Sequence, residues 1–289
     1  MLVGIVVLLS LALSYVLFGS LFFHLIETWR IDPFYLHGPW VALAALFLYL
    51  RFLYTRGRQK VIPAKAGIFM EGDLLPLEFR DVLSAVLLFS FSAAVFVFGI
   101  QTRVPFLGGL AFTLWCITLH LLLFGVSGWR GYSFPFLYFL FSVPLPYLGE
   151  LSGMLQIFIA SLSKHIFLGL GYPIQQSGIT LSFPNAAFQI AADCTGIKSW
   201  LVLFSLVVFF LTFIRLRFSL KMLIAILILP VAFFSNMTRI VTLLFLGFYK
   251  GEKIAMAFWH DFSGITFYGV SCLLMLLIVF VAIRHDRPA

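Results

Sequence analysis

A thiol, a guanidinium and an imidazole stand at the edges of long apolar runs in this chain. They are Cys194 in Ala192-Asp193-Cys194-Thr195-Gly196, Arg239 in Asn236-Met237-Thr238-Arg239-Ile240, and His260 in Phe258-Trp259-His260-Asp261. Gathered at one place, these groups are the parts of a cysteine-dependent acyl-transfer site. Each has a plainer explanation when taken alone. A single cysteine near a helix start is usually inert packing, and here the helix N-terminus and Lys198 favour thiolate while Asp193 opposes it. A guanidinium between two apolar runs is costly, so it is either functional or paired, with Asp193, Asp261 or Glu150 as partners, or it snorkels to headgroups. An interfacial histidine beside a tryptophan anchor is commonly incidental. Asn236, one helical turn before Arg239, is suited to bracing nearby backbone.

The elements that must position these groups are membrane helices. Of the 289 residues 62% are hydrophobic and 10% charged, with a mean hydropathy of +1.09, whereas soluble domains carry roughly 25% charged residues. The net charge of +8 does not point to nucleic acid, because the basic residues fall mostly in short connections between apolar runs, where they set membrane orientation. Cys116, Cys194 and Cys272 are too far apart for a disulfide framework or a metal motif, and the histidines are too scattered for zinc. Neither a metal nor another cofactor is expected.

Apolar runs of about 17 to 25 residues predict about eight transmembrane helices, at 2–25, 39–54, 82–100, 106–126, 132–148, 196–214, 219–235 and 263–283. The first reads as a retained span, since neither a basic stretch nor a cleavage site flanks it. The expected fold is an all-α multi-pass membrane protein forming a single domain over 1–289. The loop 51–81, rich in Lys and Arg, is the strongest cytoplasmic candidate. Alternation from there puts Arg130, the cluster Arg215, Arg217 and Lys221, and the tail residues Arg284 and Arg287 on the same side, with both termini cytoplasmic. This works only if 151–170, which carries Ser161, Ser163, Lys164 and His165, is an extra interfacial or re-entrant helix. The alternation in Ile179-Thr180-Leu181-Ser182-Phe183 predicts a short hairpin-like cap over 171–192, outside the lipid. Cys194, Arg239 and His260 then share the outer face.

Taken in order, Cys194-Thr195-Gly196-Ile197-Lys198-Ser199, Asn236-Met237-Thr238-Arg239-Ile240 and His260, separated by membrane helices, resemble the exosortase and archaeosortase family of membrane-embedded cysteine transpeptidases. The resemblance extends upstream to Pro144-Leu145-Pro146 and, more loosely, to Tyr35-Leu36-His37-Gly38. Family members often have Ala before the cysteine, Arg in place of Lys198 and Ser in place of Leu36. No catalytic group is lost by these departures, and they leave the subfamily open.

The resemblance implies Cys194 as nucleophile, Arg239 as electrostatic stabiliser and His260 as general base and acid. Lys198, Asn236, Tyr35 and His37 are then recognition or supporting residues. The implied substrates are secreted proteins ending in a short motif, a membrane helix and a basic tail, cleaved at the outer face of a prokaryotic plasma (inner) membrane through a thioacyl intermediate. Transfer then goes to a cell-surface or lipid acceptor whose identity stays open. Two other classes compete with this reading. A transporter or channel would distribute polar groups through the membrane, whereas here they collect near one face. A non-catalytic surface-polymer assembly protein would not need the thiol.

Overall fold

The structure, a computed structural model, describes residues 2–32, 34–64, 79–124, 129–184, 186–256 and 260–286. Of the expected cytoplasmic loop 51–81, residues 51–64 are helical, and residues 65–78 lie outside the described residues. Ten helices and a small sheet are seen among them. They run α1 (Leu2–Ile31), α2 (Gly38–Ala64), α3 (Phe79–Thr102), α4 (Pro105–Phe124), α5 (Trp129–Phe139), α6 (Leu148–Gly169), β1 (Gln175–Ser177), β2 (Thr180–Phe183), β3 (Ala186–Gln189), α7 (Ile197–Leu211), α8 (Phe218–Lys250), α9 (Glu252–Ile254) and α10 (His260–His285). Within α1, α2, α3, α4, α6, α8 and α10 lie seven stretches long and apolar enough to cross a membrane, and α7 is a shorter apolar helix. Large apolar side chains such as Val16, Leu87, Ile226 and Leu273 are exposed on these helices. In water such surfaces would associate, and lipid is the solvent that suits them. The protein is therefore an all-α multi-pass membrane protein with a small sheet.

Several of the expected segments change. The run 132–148 forms only the 11-residue α5 and a 3-10 turn, Leu140–Ser142. At 1.5 Å per residue that is well short of the roughly 30 Å hydrocarbon core. Pro144 and Pro146 stop the helix there, because proline pushes the preceding residue out of the helical region. Conversely, 151–170 belongs to a 22-residue helix, α6, so its serines, Lys164 and His165 do not disqualify it from crossing on length and composition. The span expected at 196–214 is helical only over 15 residues.

The chain divides into two compact units, one ending at Pro146 and the other beginning at Tyr147. In the first, Phe18, Leu21 and Leu25 of α1 pack with Ala111 and Trp115 of α4 and with Val143. Ser92 of α3 donates to the Ala111 carbonyl at 2.8 Å, which ties α3 to α4.

In the second unit α8 is the spine. Its residues Ile224, Ile228, Ala232, Asn236, Ile240 and Leu244 are buried, a strict i, i+4 row that keeps one face against neighbours for the length of the helix. The lower part of the row, Ile224 to Ala232, packs on Leu203, Val207 and Leu211 of α7 and Met275 of α10. The upper part, Met237 to Leu244, packs instead on Ile159, Ala160 and Phe167 of α6 and on Leu181, Phe183 and Phe188 of the sheet. That sheet is antiparallel in the order β1-β2-β3, with Leu181 opposite Phe188. The expected cap is thus a three-stranded meander with its alternating apolar residues turned inward.

Candidate active site

The ends of the second unit differ in chemistry. At one end, the backbone N–H of Arg217 donates to Asp286 Oδ2 at 2.7 Å, and the Arg217 side chain pairs with the same carboxylate. These contacts, the backbone hydrogen bond first, hold the Asp286 carboxyl below its usual range. They join the start of α8 to the end of α10. Arg239 lies 21 residues further along α8 than Phe218, about 30 Å at helical rise. That is about one hydrocarbon thickness from the basic end.

Cys194 stands at the far end, in a 3-10 turn over Ala192–Thr195. Its thiol is not in a disulfide and the residue is half-buried. The cysteine N–H donates to the Ala191 carbonyl at 2.9 Å, and the Thr195 hydroxyl donates to the Ala192 carbonyl at 2.8 Å. Thr195 therefore closes the turn and does not cap α7. The N-cap position belongs to Gly196, at φ +82°, a left-handed conformation that glycine adopts without a Cβ penalty.

Asn236 reaches across from α8 and donates from Nδ2 to the Cys194 carbonyl at 2.8 Å. A Cβ on residue 196 would stand 3.1 Å from the Asn236 side chain. Gly196→Ala combines crowding with a left-handed strain of about 1–2 kcal/mol. We expect it to loosen Asn236 from the cysteine carbonyl and lower the alkylation rate of Cys194 while the protein still inserts. An unchanged rate in membranes would show that the glycine serves only the chain path.

Arg239 is fixed from the other side. Its Nε donates to Ser263 Oγ on α10 at 3.2 Å, and Ser263 is fully buried. A Cβ on Gly264 would come within 3.5 Å of the guanidinium, so a small residue there gives the arginine room. Ser263 thereby orients the arginine. His260 is the first residue of α10, three residues before Ser263 and on adjoining turns of one helix. The side chains of His260, Asp193 and Asp261, and all of Trp259, lie outside the described residues.

Two cavities meet at Arg239. A small one, 40 Å³, is bordered by Cys194, Arg239, Ile190, Ala191 and Met256 among others. A larger one, 410 Å³, has Lys198, Ser199, Asn236, Arg239 and Tyr268 in its walls. Cys194, Arg239, Asn236 and Lys198 are thus brought together around Arg239. Tyr35 and His37 belong to the first unit. There the Tyr35 hydroxyl accepts the Leu145 N–H at 2.6 Å, joining the turn after α1 to the Pro144-Leu145-Pro146 segment. Burial above all pushes its phenol up from the ordinary value. The His37 ring stacks on Tyr35 with centroids 5.9 Å apart.

In a multi-pass membrane protein, a half-buried thiol and an arginine thus border one small cavity. The profile of the transmembrane exosortases matches residues 29–277. The chain belongs to that family of membrane cysteine transpeptidases. No curated protein and no solved structure matches it.

Proposed function

We propose that this exosortase cleaves the C-terminal sorting signal of secreted proteins at the outer face of a prokaryotic plasma membrane and passes them to an acceptor, acting as one membrane domain. The carrying observation is that Cys194 and Arg239 border the same small cavity, while Arg239 is held by the first turn of the helix that His260 begins. The Cys194 thiolate attacks the scissile carbonyl carbon, and Arg239 stabilises the oxyanion. The C–N bond breaks as His260 gives a proton to the departing amine, leaving a thioester on Cys194. An acceptor amine, hydroxyl or lipid headgroup then attacks that thioester, and its proton passes to His260 as the thiolate leaves. Lys198 and Asn236 sit in the wall of the larger cavity, where they are suited to receive the peptide, and Tyr35 and His37 are supporting residues. The direct test is processing of a co-expressed secreted protein that ends in a motif, a membrane helix and a basic tail. It should be lost in a Cys194→Ser chain that accumulates normally.

The outward placement is supported by the levels at which helices pack on α8. If α7 and α10 lie in the bilayer beside Ile224 to Ala232, then α6, which packs beside Met237 to Leu244, lies at the interface, as its mixed composition suggests. Glu150 and Leu170 at its two ends are both exposed. In a chain stripped of native cysteines, Glu150→Cys and Leu170→Cys should both react with a membrane-impermeant thiol reagent added from outside. Reaction of only one would mean that α6 crosses.

A further inference from the structure

The turn that carries Cys194 is held at both ends by carboxamides. Asn236 holds its C-terminal end from α8, at the Cys194 carbonyl. The N-terminal end is held from α6, where Gln156 Nε2 donates to the Ile190 carbonyl at 2.7 Å. Ile190 is itself buried, and its N–H donates to the Ile179 carbonyl at 2.9 Å. Ile190 is thus tied to the hairpin on one side and to α6 on the other. Within the turn, the Cys194 N–H donates to the Ala191 carbonyl and the Thr195 hydroxyl to the Ala192 carbonyl. A short segment closed on itself can swing as a unit about its attachments. The directional bonds at its two ends limit that swing.

Gln156 stands on the face of α6 that also buries Ile159, Ala160 and Ser163. An apolar residue of the same length would fill that space, but only a donor fixes the Ile190 carbonyl in direction as well as in distance. Ile190 and Ala191 border the small cavity together with Cys194 and Arg239, so a shift of this segment moves one wall against the other.

We propose that Gln156 is a positioning residue, which acts through Ile190 and the 3-10 turn to set the Cys194 sulfur against Arg239. The inference rests on the reading of Cys194 as nucleophile, because only then does the sulfur's placement bear on the reaction. Misplacement of a reacting group by about 1 Å can cost on the order of 10² in rate, so the loss of one such tether should be measurable without unfolding the protein.

The test uses the full chain in detergent or native membranes, with iodoacetamide as the probe and alkylation read at the Cys194 peptide by mass spectrometry. Gln156→Met keeps length and volume but removes the donor. We expect normal abundance and melting temperature, with the Cys194 alkylation rate at neutral pH lowered about tenfold, roughly the effect of one hydrogen bond. Gln156→Glu supplies a conservative rescue that a merely structural role would not produce. Ionised, its carboxylate cannot donate to the Ile190 carbonyl, and protonated, it can. Its alkylation rate, taken as a ratio to wild type at each pH, should therefore rise toward one as pH falls. An unchanged rate in Gln156→Met, a faster one, or a Gln156→Glu ratio that does not vary with pH would each overturn the proposal. If Gln156→Met fails to accumulate, the pH course of Gln156→Glu decides alone. Failure of the underlying reading shows separately, as full substrate processing by Cys194→Ala. An inactive Cys194→Ala beside wild-type alkylation in Gln156→Met sinks only the role of Gln156.

Discussion

Arg239→Lys should leave the protein in the membrane at normal abundance and lower its processing rate by ~10² to 10³, the usual cost of removing one oxyanion donor. The substitution keeps the positive charge. It does not keep the planar fork, whose Nε donates to Ser263 and which borders the cavity shared with Cys194. A lysine ammonium is a rotatable point charge on a flexible stem, so it would not be held in place by Ser263 in the same way. Pulse-chase measurement of precursor cleavage, with chain abundance as control, reads this effect. Near-normal processing would mean that Arg239 contributes only diffuse charge or an anchor to the helix pair.

The larger effect is expected at Cys194. Removing the nucleophile of a well-studied serine protease costs on the order of 10⁶ in rate, so Cys194→Ala should reduce processing below detection. Stability should change little, because Cys194 is only half-buried and the turn's hydrogen bonds run through backbone atoms, Thr195 and Asn236. Loss of processing together with loss of the chain itself would point to folding. Normal processing with normal abundance would favour a transporter or an assembly protein.

The chemistry-bearing side chains were legible because the background is so apolar. An arginine between Phe233-Phe234 and Ile240 has no cheap reason to be there, and a cysteine where a polar cap gives way to an apolar run draws notice. The continuity of α8 was not legible. Hydropathy ended a span at Ser235, but Asn236, Met237 and Thr238 carry no helix-breaking geometry, so the backbone runs on for 33 residues. The same bias drew a span over 132–148, because a hydropathy run ignores what Pro144 and Pro146 do to backbone dihedrals.

Gln156 and Ser263 escaped for a different reason. Each acts on a partner far along the chain, Ile190 in one case and Arg239 in the other, and a single sequence holds no sign of that pairing. The one available signal was an amide on a face of α6 that otherwise carries only apolar residues and small serines. For Gly196, likewise, the sequence holds no sign of the Asn236 side chain packed against it.

The central claim is that Cys194 carries the acyl group, and the measurement that reaches it most directly is the mass of the Cys194 peptide during turnover. The wild-type chain, mixed with its co-expressed substrate and quenched in acid, should yield that peptide carrying the cleaved end of the secreted protein. The adduct should be released by hydroxylamine, as a thioester is, and absent from Cys194→Ala. An acyl group found on a different residue, or product formed at the wild-type rate by Cys194→Ala, would contradict the account.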